Sequence, residues 1–387
     1  MGQYKKFWYL LVAVLIGAFS ILGYYGFEVY REAPPIPQQY VSESGEKVIT
    51  HDDILHGQTA WQTTGGMQVG SVWGHGAYQA PDWTADWLHR ELTNWLDITA
   101  NQEFGKNFAD LNDEQQTLLK ARLTKEYRSS KVENGTVVLS NTRLAAMEKT
   151  AQYYISLYGD DPATKVTREH FAMKDNTLPD LQARKDLAKF FFWTAWTASA
   201  ERPNTHASYT NNWPHEPLIN NVPTPENVIW SIASVVFLIA GIGFVVWIWS
   251  FKKREDEKEP ATPEFDPLTK LQLTPSQRSL GKYLFTVLAL FVLQVTLGAV
   301  VAHYTVEGQE FYGIDISQYF PYSLVRTWHI QAALFWIAMA FLAGGLFLAP
   351  IINGGKDPKF QKLGVDVLYW ALVVLVVGSF TGSYLAI

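Results

Sequence analysis

The chain has 387 residues, a formal net charge of −6 and no cysteine. Without cysteine it cannot form disulfides, thiolate zinc sites, iron–sulfur clusters or a c-type haem attached through C-x-x-C-H. Any metal must therefore be bound by His, carboxylate, Tyr, Met or backbone oxygen. The negative charge, with no basic stripe along the sequence, argues against nucleic acid as a partner.

Five long apolar segments dominate the sequence, and each is long enough to cross a bilayer as a helix of roughly 20 residues. The first, at about 7–27, is predicted to be a retained membrane anchor, because it is long and no A-x-A cleavage site follows it. The chain is therefore predicted to be a mainly α-helical polytopic membrane protein. The other four segments lie at about 228–251, 283–303, 324–352 and 367–387.

Basic residues in the short flanks predict the orientation of these segments. Lys and Arg lie before the first segment, after the second and between the fourth and fifth, whereas the connection 304–325 has none. Because cytoplasmic flanks are enriched in Lys and Arg, the N-terminus and the connections at about 252–282 and 353–366 are expected to face the cytoplasm. Residues 28–227 and 304–325 would then face outward.

The polar segment 28–227 is predicted to form an extracytoplasmic domain. Up to about residue 87 it is rich in Gly, Trp and Thr, which predicts loops with short strands or helices, and most of the rest looks helical. Apolar residues at helical spacing predict helices over Asp113–Tyr127 and Thr142–Leu157. The aromatic stretch Asp186–Ala200 is expected to dock on the membrane surface or on the helical bundle.

His303 and His329 are the two of the nine histidines that lie in or beside the apolar segments, and an ionisable side chain at that depth is a functional candidate. His329, in RTWHIQAALFW, is suited to be an axial ligand of haem iron. Trp328 and Trp336 could border the macrocycle, and Arg326 could pair with a propionate. The alternative, a histidine that hydrogen-bonds a neighbouring helix, has equal weight on these residues.

Glu307 follows His303 by four residues in AHYTVEG, so a continuing helix would place the imidazole and the carboxylate on one face. Such a pair, with Tyr304 and Phe311 nearby, suits the oxidation of a quinol. That reaction needs a hydrogen-bond acceptor for each hydroxyl and a base. A histidine at the interface beside a solvated carboxylate is the alternative, and these residues alone favour it.

Two polar motifs in the segment 28–227 resemble metal sites. In WGHGAYQAPDWTADW, glycines expose backbone carbonyls and Tyr78 supplies a phenol oxygen, which are ligands that calcium accepts. Spacing alone favours a buried turn packed by aromatic residues, and His75 lacks a partner as a haem ligand. HDDILHG is predicted to be a helix start with Asp52 or Asp53 near the N-cap, and not a metal cluster.

Together these motifs resemble the quinol-dependent nitric oxide reductases of the haem–copper oxidase superfamily. The resemblance rests on the anchor, GHGAY followed by PDWTADW, AHYTVEG and RTWHIQAALFW, and it covers the whole chain. It implies a haem–copper oxidase-like helical bundle and an outer domain that resembles cytochrome c without its haem. It also implies that electrons pass from a quinol through a low-spin haem b to a high-spin haem b3 and a non-haem iron. There, two molecules of nitric oxide become nitrous oxide and water.

The resemblance also implies roles for single residues. His329 would be one axial ligand of the low-spin haem b, and His303, Glu307 and Phe311 would contact the quinol. Further implications are a bacterial inner-membrane location and three partners: quinol, nitric oxide and membrane lipid. A homodimer is left open.

A calcium site between the haem propionates would take the backbone carbonyl of Gly76 and the side chain of Tyr78. The family's remaining haem and iron ligands lie in later helices, and none of those motifs occurs here. Because the sequence stops at Ile387 in or just past an apolar helix, we expect a longer polypeptide. The predicted domains are an anchor (1–27), the outer domain (28–227) and four spans of an incomplete catalytic domain (228–387).

Two other functions stay open on the sequence. An oxygen-reducing terminal oxidase of the same superfamily would carry a His–Tyr cross-link pair in the later helices, where a nitric oxide reductase carries a glutamate ligand of non-haem iron. A membrane-anchored sensor or assembly protein would use residues 28–227 as its binding module. Such a protein would have no need of a histidine at haem-ligand depth.

Overall fold

The computed structural model describes residues 5–77, 79–256, 269, 271–308, 313–314 and 316–386. The chain divides into two compact units, which we call the first unit and the second unit. The first unit comprises residues 1–55, 84–150 and 189–224, and the second comprises 56–83, 151–188 and 225–387. The predicted domain boundaries at 27 and 227 stay predictions.

The described residues form twelve α-helices and three short strands. The helices are α1 (Lys5–Arg31), α2 (His51–Thr63), α3 (Trp83–Phe104), α4 (Asp113–Arg128), α5 (Asn141–Leu157), α6 (Lys165–His170), α7 (Leu181–Ser199), α8 (Pro225–Asp256), α9 (Pro275–Ser279), α10 (Gly281–Val306), α11 (Tyr322–Ile352) and α12 (Gln361–Leu385). The strands are β1 (Gln39–Ser42), β2 (Lys47–Thr50) and β3 (Thr136–Leu139).

In the part of the chain that the structure describes, five helical segments are long and apolar enough to cross a membrane. A spanning segment must satisfy its backbone hydrogen bonds internally, because lipid offers no partners, and a helix does so. Each predicted apolar segment coincides with one of the five, so the prediction of a helical polytopic membrane protein is confirmed. The segments are Trp8–Arg31, Val228–Phe251, Pro275–Val306, Tyr322–Ile352 and Gln361–Leu385.

The first unit contains a three-stranded sheet in the order β2-β1-β3. Strand β1 pairs antiparallel with β2 and parallel with β3. The helices predicted over 113–127 and 142–157 are present as α4 and α5. Helix α4 begins with a capping box, in which the Asn112 side chain accepts from the Gln115 backbone N–H (2.9 Å) and the Gln115 side chain accepts from the Asn112 N–H (3.3 Å). This reciprocal pair satisfies two backbone donors that the helix start leaves free.

The aromatic stretch expected to dock on the membrane or on the bundle lies in the core of the first unit. Phe192 and Trp196 of α7 are fully buried, and their ring centroids lie 5.3 and 5.8 Å from that of Tyr40 on β1. Trp87 of α3 also meets Phe192, at 6.3 Å. The expectation was wrong because these rings pack on the sheet and on α3, where the protein's own core removes them from water.

A buried ion pair links α3 and α5 in the same core. Arg143 Nε lies 3.2 Å from Glu91 Oε1, and both side chains are at most 2% exposed. Glu91 also accepts hydrogen bonds from Trp87 Nε1 (2.7 Å) and Tyr127 Oη (2.9 Å). Each carboxylate oxygen therefore has a donor, as a buried charge requires.

Helices α10, α11 and α12 of the second unit pack around two clusters of buried side chains. One lies where α10 ends and α11 begins, which we call the upper end of the bundle, and the other lies at the opposite, lower end. The upper cluster contains Ala172, Leu297, Tyr304, Tyr322 and Val325. The lower cluster contains Leu280, Tyr283, Leu290, Met339 and Val365.

Residues 56–83 and 151–188 of the second unit hydrogen-bond to the upper end. The carbonyl of Ala172 accepts from the backbone N–H of Tyr322 (3.1 Å), and the side chain of Gln68 accepts from the Thr327 hydroxyl (3.1 Å). Both bonds hold polar chain segments against the start of α11, the helix that carries His329.

Candidate functional site

His329 lies near the start of α11 and faces α10. Its Nδ1 is 2.8 Å from the backbone carbonyl oxygen of Gln294, and the side chain is half-buried. Since a carbonyl can only accept, Nδ1 is the donor of this hydrogen bond. Among the described residues, none hydrogen-bonds to Nε2. A histidine ligand of a metal is commonly held in this way, with its second nitrogen donating to a carbonyl.

Gly298 makes room for this imidazole. A Cβ at position 298 would lie 2.8 Å from Cε1 and 3.1 Å from Nδ1 of His329. Gln294 and Gly298 are one helical turn apart on α10, so a carbonyl and a stretch of bare backbone together fix the ring. Sequence reasoning missed both residues, although a glutamine and a glycine within the apolar run VLQVTLGAV were a usable signal.

The side chain of Gln294 holds a second ring of α11. Its Oε1 accepts a hydrogen bond from Trp336 Nε1 at 2.8 Å. Trp328, by contrast, faces α12, where its indole N–H donates to the Phe380 carbonyl (3.1 Å) and its ring stacks with Tyr384. Of the two tryptophans expected to border a macrocycle, Trp336 shares a partner with His329, whereas Trp328 packs on another helix.

Arg326 precedes His329 by three residues on α11 and is half-buried. Residues three apart in a helix lie on one face, one turn from each other. The guanidinium therefore belongs to the turn directly above the imidazole. Its pairing with a haem propionate stays a prediction.

His303 and Glu307 are in direct contact at the upper end of α10. His303 Nδ1 lies 2.7 Å from Glu307 Oε2, and the side chains are 33% and 43% exposed. The expectation that the helix brings both groups to one face is confirmed. Gly308, at φ 79°, ends the helix in the left-handed conformation that glycine favours. The backbone N–H groups of Glu307 and Gly308 both donate to the His303 carbonyl.

Tyr304 and Phe311 were also expected near His303 and Glu307. The Tyr304 side chain is buried and its hydroxyl donates to the Phe320 carbonyl (2.9 Å), so it faces the bundle. Phe311 lies outside the described residues.

Because five residues of α-helix rise about 7.5 Å, His303 lies about that far above Gly298, the level of His329.

Residues 74–77 of the GHGAY motif belong to a tight turn in the second unit. The Asp82 carboxylate accepts from the Ser71 hydroxyl (2.6 Å) and from the Gly74 backbone N–H (2.7 Å). Gly76 has φ 81°, a conformation that side chains disfavour. His75 and Gly76 are exposed, so the turn is polar and is not the buried turn packed by aromatic residues that the spacing favoured.

Among the described residues, the motif around GHGAY forms no cluster of side-chain ligands. His75 Nδ1 lies 3.0 Å from the Val72 carbonyl, and Tyr78 lies outside the described residues. In the described part of the chain, no group of three or more His, Cys, Asp or Glu could hold a metal ion. A calcium site at the Gly76 carbonyl and Tyr78 stays a prediction.

HDDILHG forms a helix start, as predicted. The Asp53 carboxylate accepts from the Thr50 backbone N–H (2.8 Å), and the Thr50 hydroxyl accepts from the Asp53 N–H (3.3 Å). Burial disfavours the charged form of Asp53. The Thr50 N–H and the Lys189 ammonium, 3.1 Å away, outweigh it and lower the pKa of this carboxyl. The N-cap residue is Thr50, and α2 follows it.

Two family models match the chain. Residues 37–215 match the NorB cytochrome c-like domain of nitric oxide reductase. Residues 278–387, which include α10, α11 and α12, match cytochrome c and quinol oxidase polypeptide I. A comparison with curated proteins gave no match. The predicted combination of a cytochrome c-like domain with oxidase-like membrane helices is confirmed, and both His303 and His329 lie in the second matched segment.

Proposed function

We propose that this chain, whose two matched segments support a NorB-like member of the haem–copper oxidase superfamily, uses quinol electrons to reduce nitric oxide. The family is one of oxidoreductases, and five apolar helices make the chain an integral membrane protein. The observation that carries the proposal is the contact of the His329 imidazole with the Gln294 carbonyl and with the backbone of Gly298.

The residues around His329 fit a haem. Its Nδ1 donates to a backbone carbonyl and its Nε2 has no hydrogen-bond partner among the described residues, so Nε2 is the nitrogen that would hold the iron of a haem. Arg326, one turn above, is suited to bind a propionate. A low-spin haem bound there would accept one electron at a time and pass it on.

His303 and Glu307 are suited to receive the protons of a quinol. Oxidation of one quinol to a quinone releases two electrons and two protons. Two nitric oxide molecules consume the same number of each and yield one nitrous oxide and one water. His303 would take a hydroxyl proton, while the Glu307 carboxylate, 2.7 Å from its Nδ1, stabilises the imidazolium. Phe311 is proposed to contact the quinol ring.

The rest of the proposal follows from the resemblance. A high-spin haem b3 and a non-haem iron would form the reaction centre, with ligands from helices other than those described. Calcium would be held at Gly76 and Tyr78. Residues 28–227 would face the periplasm from a bacterial inner membrane.

Anaerobic turnover of the purified holoenzyme tests this function. With decylubiquinol as donor, a nitric oxide electrode and gas chromatography should record one nitrous oxide formed for every two nitric oxide molecules and one quinol consumed. Faster turnover of oxygen than of nitric oxide would favour the oxygen-reductase alternative. Fully folded protein that contains no iron would support the sensor or assembly alternative.

A further inference from the structure

The side-chain amide of Gln79 lies at the upper end of α10. Its Nε2 donates to the backbone carbonyls of Tyr304 (3.1 Å) and His170 (2.7 Å). Its Oε1 lies 3.4 Å from the Thr305 hydroxyl, which shares its proton with the Val301 carbonyl at 3.1 Å. One amide therefore joins a turn of the polar segment to two consecutive residues of a membrane helix and to the end of α6.

The carbonyl of Tyr304 needs a partner from elsewhere in the chain. The last four carbonyls of an α-helix have no intrahelical donor, and α10 ends at Val306. Gln79 supplies that donor. The side chain of Tyr304 is itself held by its bond to the Phe320 carbonyl, so this turn is fixed on two sides.

Gln79 is held in turn by its own loop. The backbone N–H of Ala80 donates to the Val69 carbonyl (2.9 Å), and that of Trp83 donates to the Ser71 carbonyl (2.7 Å). Gln79 itself is half-buried. Because these two bonds close the loop that contains Gln79, they hold its amide in place against the end of α10.

We propose that Gln79 is a positioning residue for quinol oxidation. Tyr304 and Thr305, which it binds, lie between His303 and Glu307 in the same turn. Holding them fixes the angle at which the imidazole and the carboxylate meet the quinol. The inference rests on the proposed function, since it assigns Gln79 a role in the same quinol site.

Three substitutions test the role of the amide donor. Gln79→Met keeps the length of the side chain but removes both hydrogen-bonding groups. We expect kcat/KM for decylubiquinol to fall about three- to tenfold, the range for losing one or two hydrogen bonds. Gln79→Lys keeps a donor that can reach helix C-terminal carbonyls and should restore most of the loss. Gln79→Asn withdraws the amide by one methylene and should also lower kcat/KM for decylubiquinol. This variant keeps the test valid if Gln79→Met does not fold.

A second electron donor separates positioning from a general structural effect. Ascorbate with phenazine methosulfate reduces haem without a quinol site, so turnover with this donor should stay at the wild-type level in all three variants. Gln68→Ala is the matched control, because it also removes a bond between the polar segment and the bundle, to Thr327 of α11. It should leave kcat/KM for decylubiquinol unchanged.

The outcomes of the two hypotheses differ. Wild-type kcat/KM in Gln79→Met and Gln79→Asn, or an equal loss with both donors, would overturn the positioning role and leave the proposed function intact. Wild-type protein that does not oxidise decylubiquinol would overturn the proposed function, and the positioning role with it.

Discussion

The imidazole of His329 packs directly on the backbone of Gly298, where a Cβ would come within 2.8 Å of Cε1. Carbon atoms do not approach so closely in a relaxed structure. The lack of a side chain at one position of α10 is therefore what allows the ring on α11 to reach the Gln294 carbonyl. This contact predicts the effects of substitutions at Gly298 and His329.

Gly298→Ala should displace the imidazole of His329 and weaken its hold on a haem. Changes to groups that orient a metal ligand typically lower affinity about 10- to 100-fold, and we expect the lower end of that range. Low-spin haem absorbance in purified protein measures the effect. Gly281→Ala is the control in the same helix, because a Cβ there meets nothing within 4 Å. Equal spectra for the two variants would contradict the contact.

His329→Ala should abolish the low-spin haem absorbance altogether, because it removes the axial nitrogen. The spectrum of the purified variant is compared with that of His56→Ala, which changes an exposed histidine on α2 and should match wild type. If the His329→Ala spectrum is unchanged, the assignment of this residue as a haem ligand is wrong.

Glu307→Gln should lower quinol-driven turnover by roughly 100-fold, the lower end of the effect of losing an acid–base partner. The amide keeps the shape of the side chain but removes the negative charge beside His303 Nδ1. Turnover with ascorbate and phenazine methosulfate should persist. Glu226→Gln, at an exposed position on α8, serves as the control for loss of a carboxylate. A loss of similar size with both donors would place Glu307 outside the quinol site.

Arg143→Met should destabilise the first unit, because it leaves the Glu91 carboxylate buried without its cation. Breaking such a pair costs about 3–5 kcal/mol, which lowers a thermal midpoint by on the order of 10 °C in a domain of this size. Tryptophan fluorescence can report it, since Trp87 donates to Glu91. Lys131→Met, which opens the exposed pair with Glu133, should change the midpoint little.

Replacing both buried charges gives a sharper comparison. The double variant Glu91→Leu with Arg143→Met leaves no unpaired charge, so its thermal midpoint should return much of the way to the wild-type value. A double variant as unstable as Arg143→Met alone would show that the cost arises from packing around the guanidinium and not from an unpaired carboxylate.

Several features were open to prediction because local pattern determines them. The apolar segments became helices because a bilayer-length apolar run has no other way to satisfy its backbone. His303 and Glu307 met because four residues make one helical turn. The start of α2 followed from short polar side chains that bond the nearby backbone.

The sequence by itself thus determined the membrane helices and identified the two histidines that lie in or beside them, since both depend on neighbours within a few residues. Only the tertiary structure decided what those histidines touch. The Gln294 carbonyl lies 35 positions from His329 in the chain, and Gln79 lies 225 from Tyr304. The inward turn of the α7 aromatics was decided in the same way. Contacts of this kind depend on which faces of distant segments pack together, and the periodicity of one segment carries no information about the face that its partner presents.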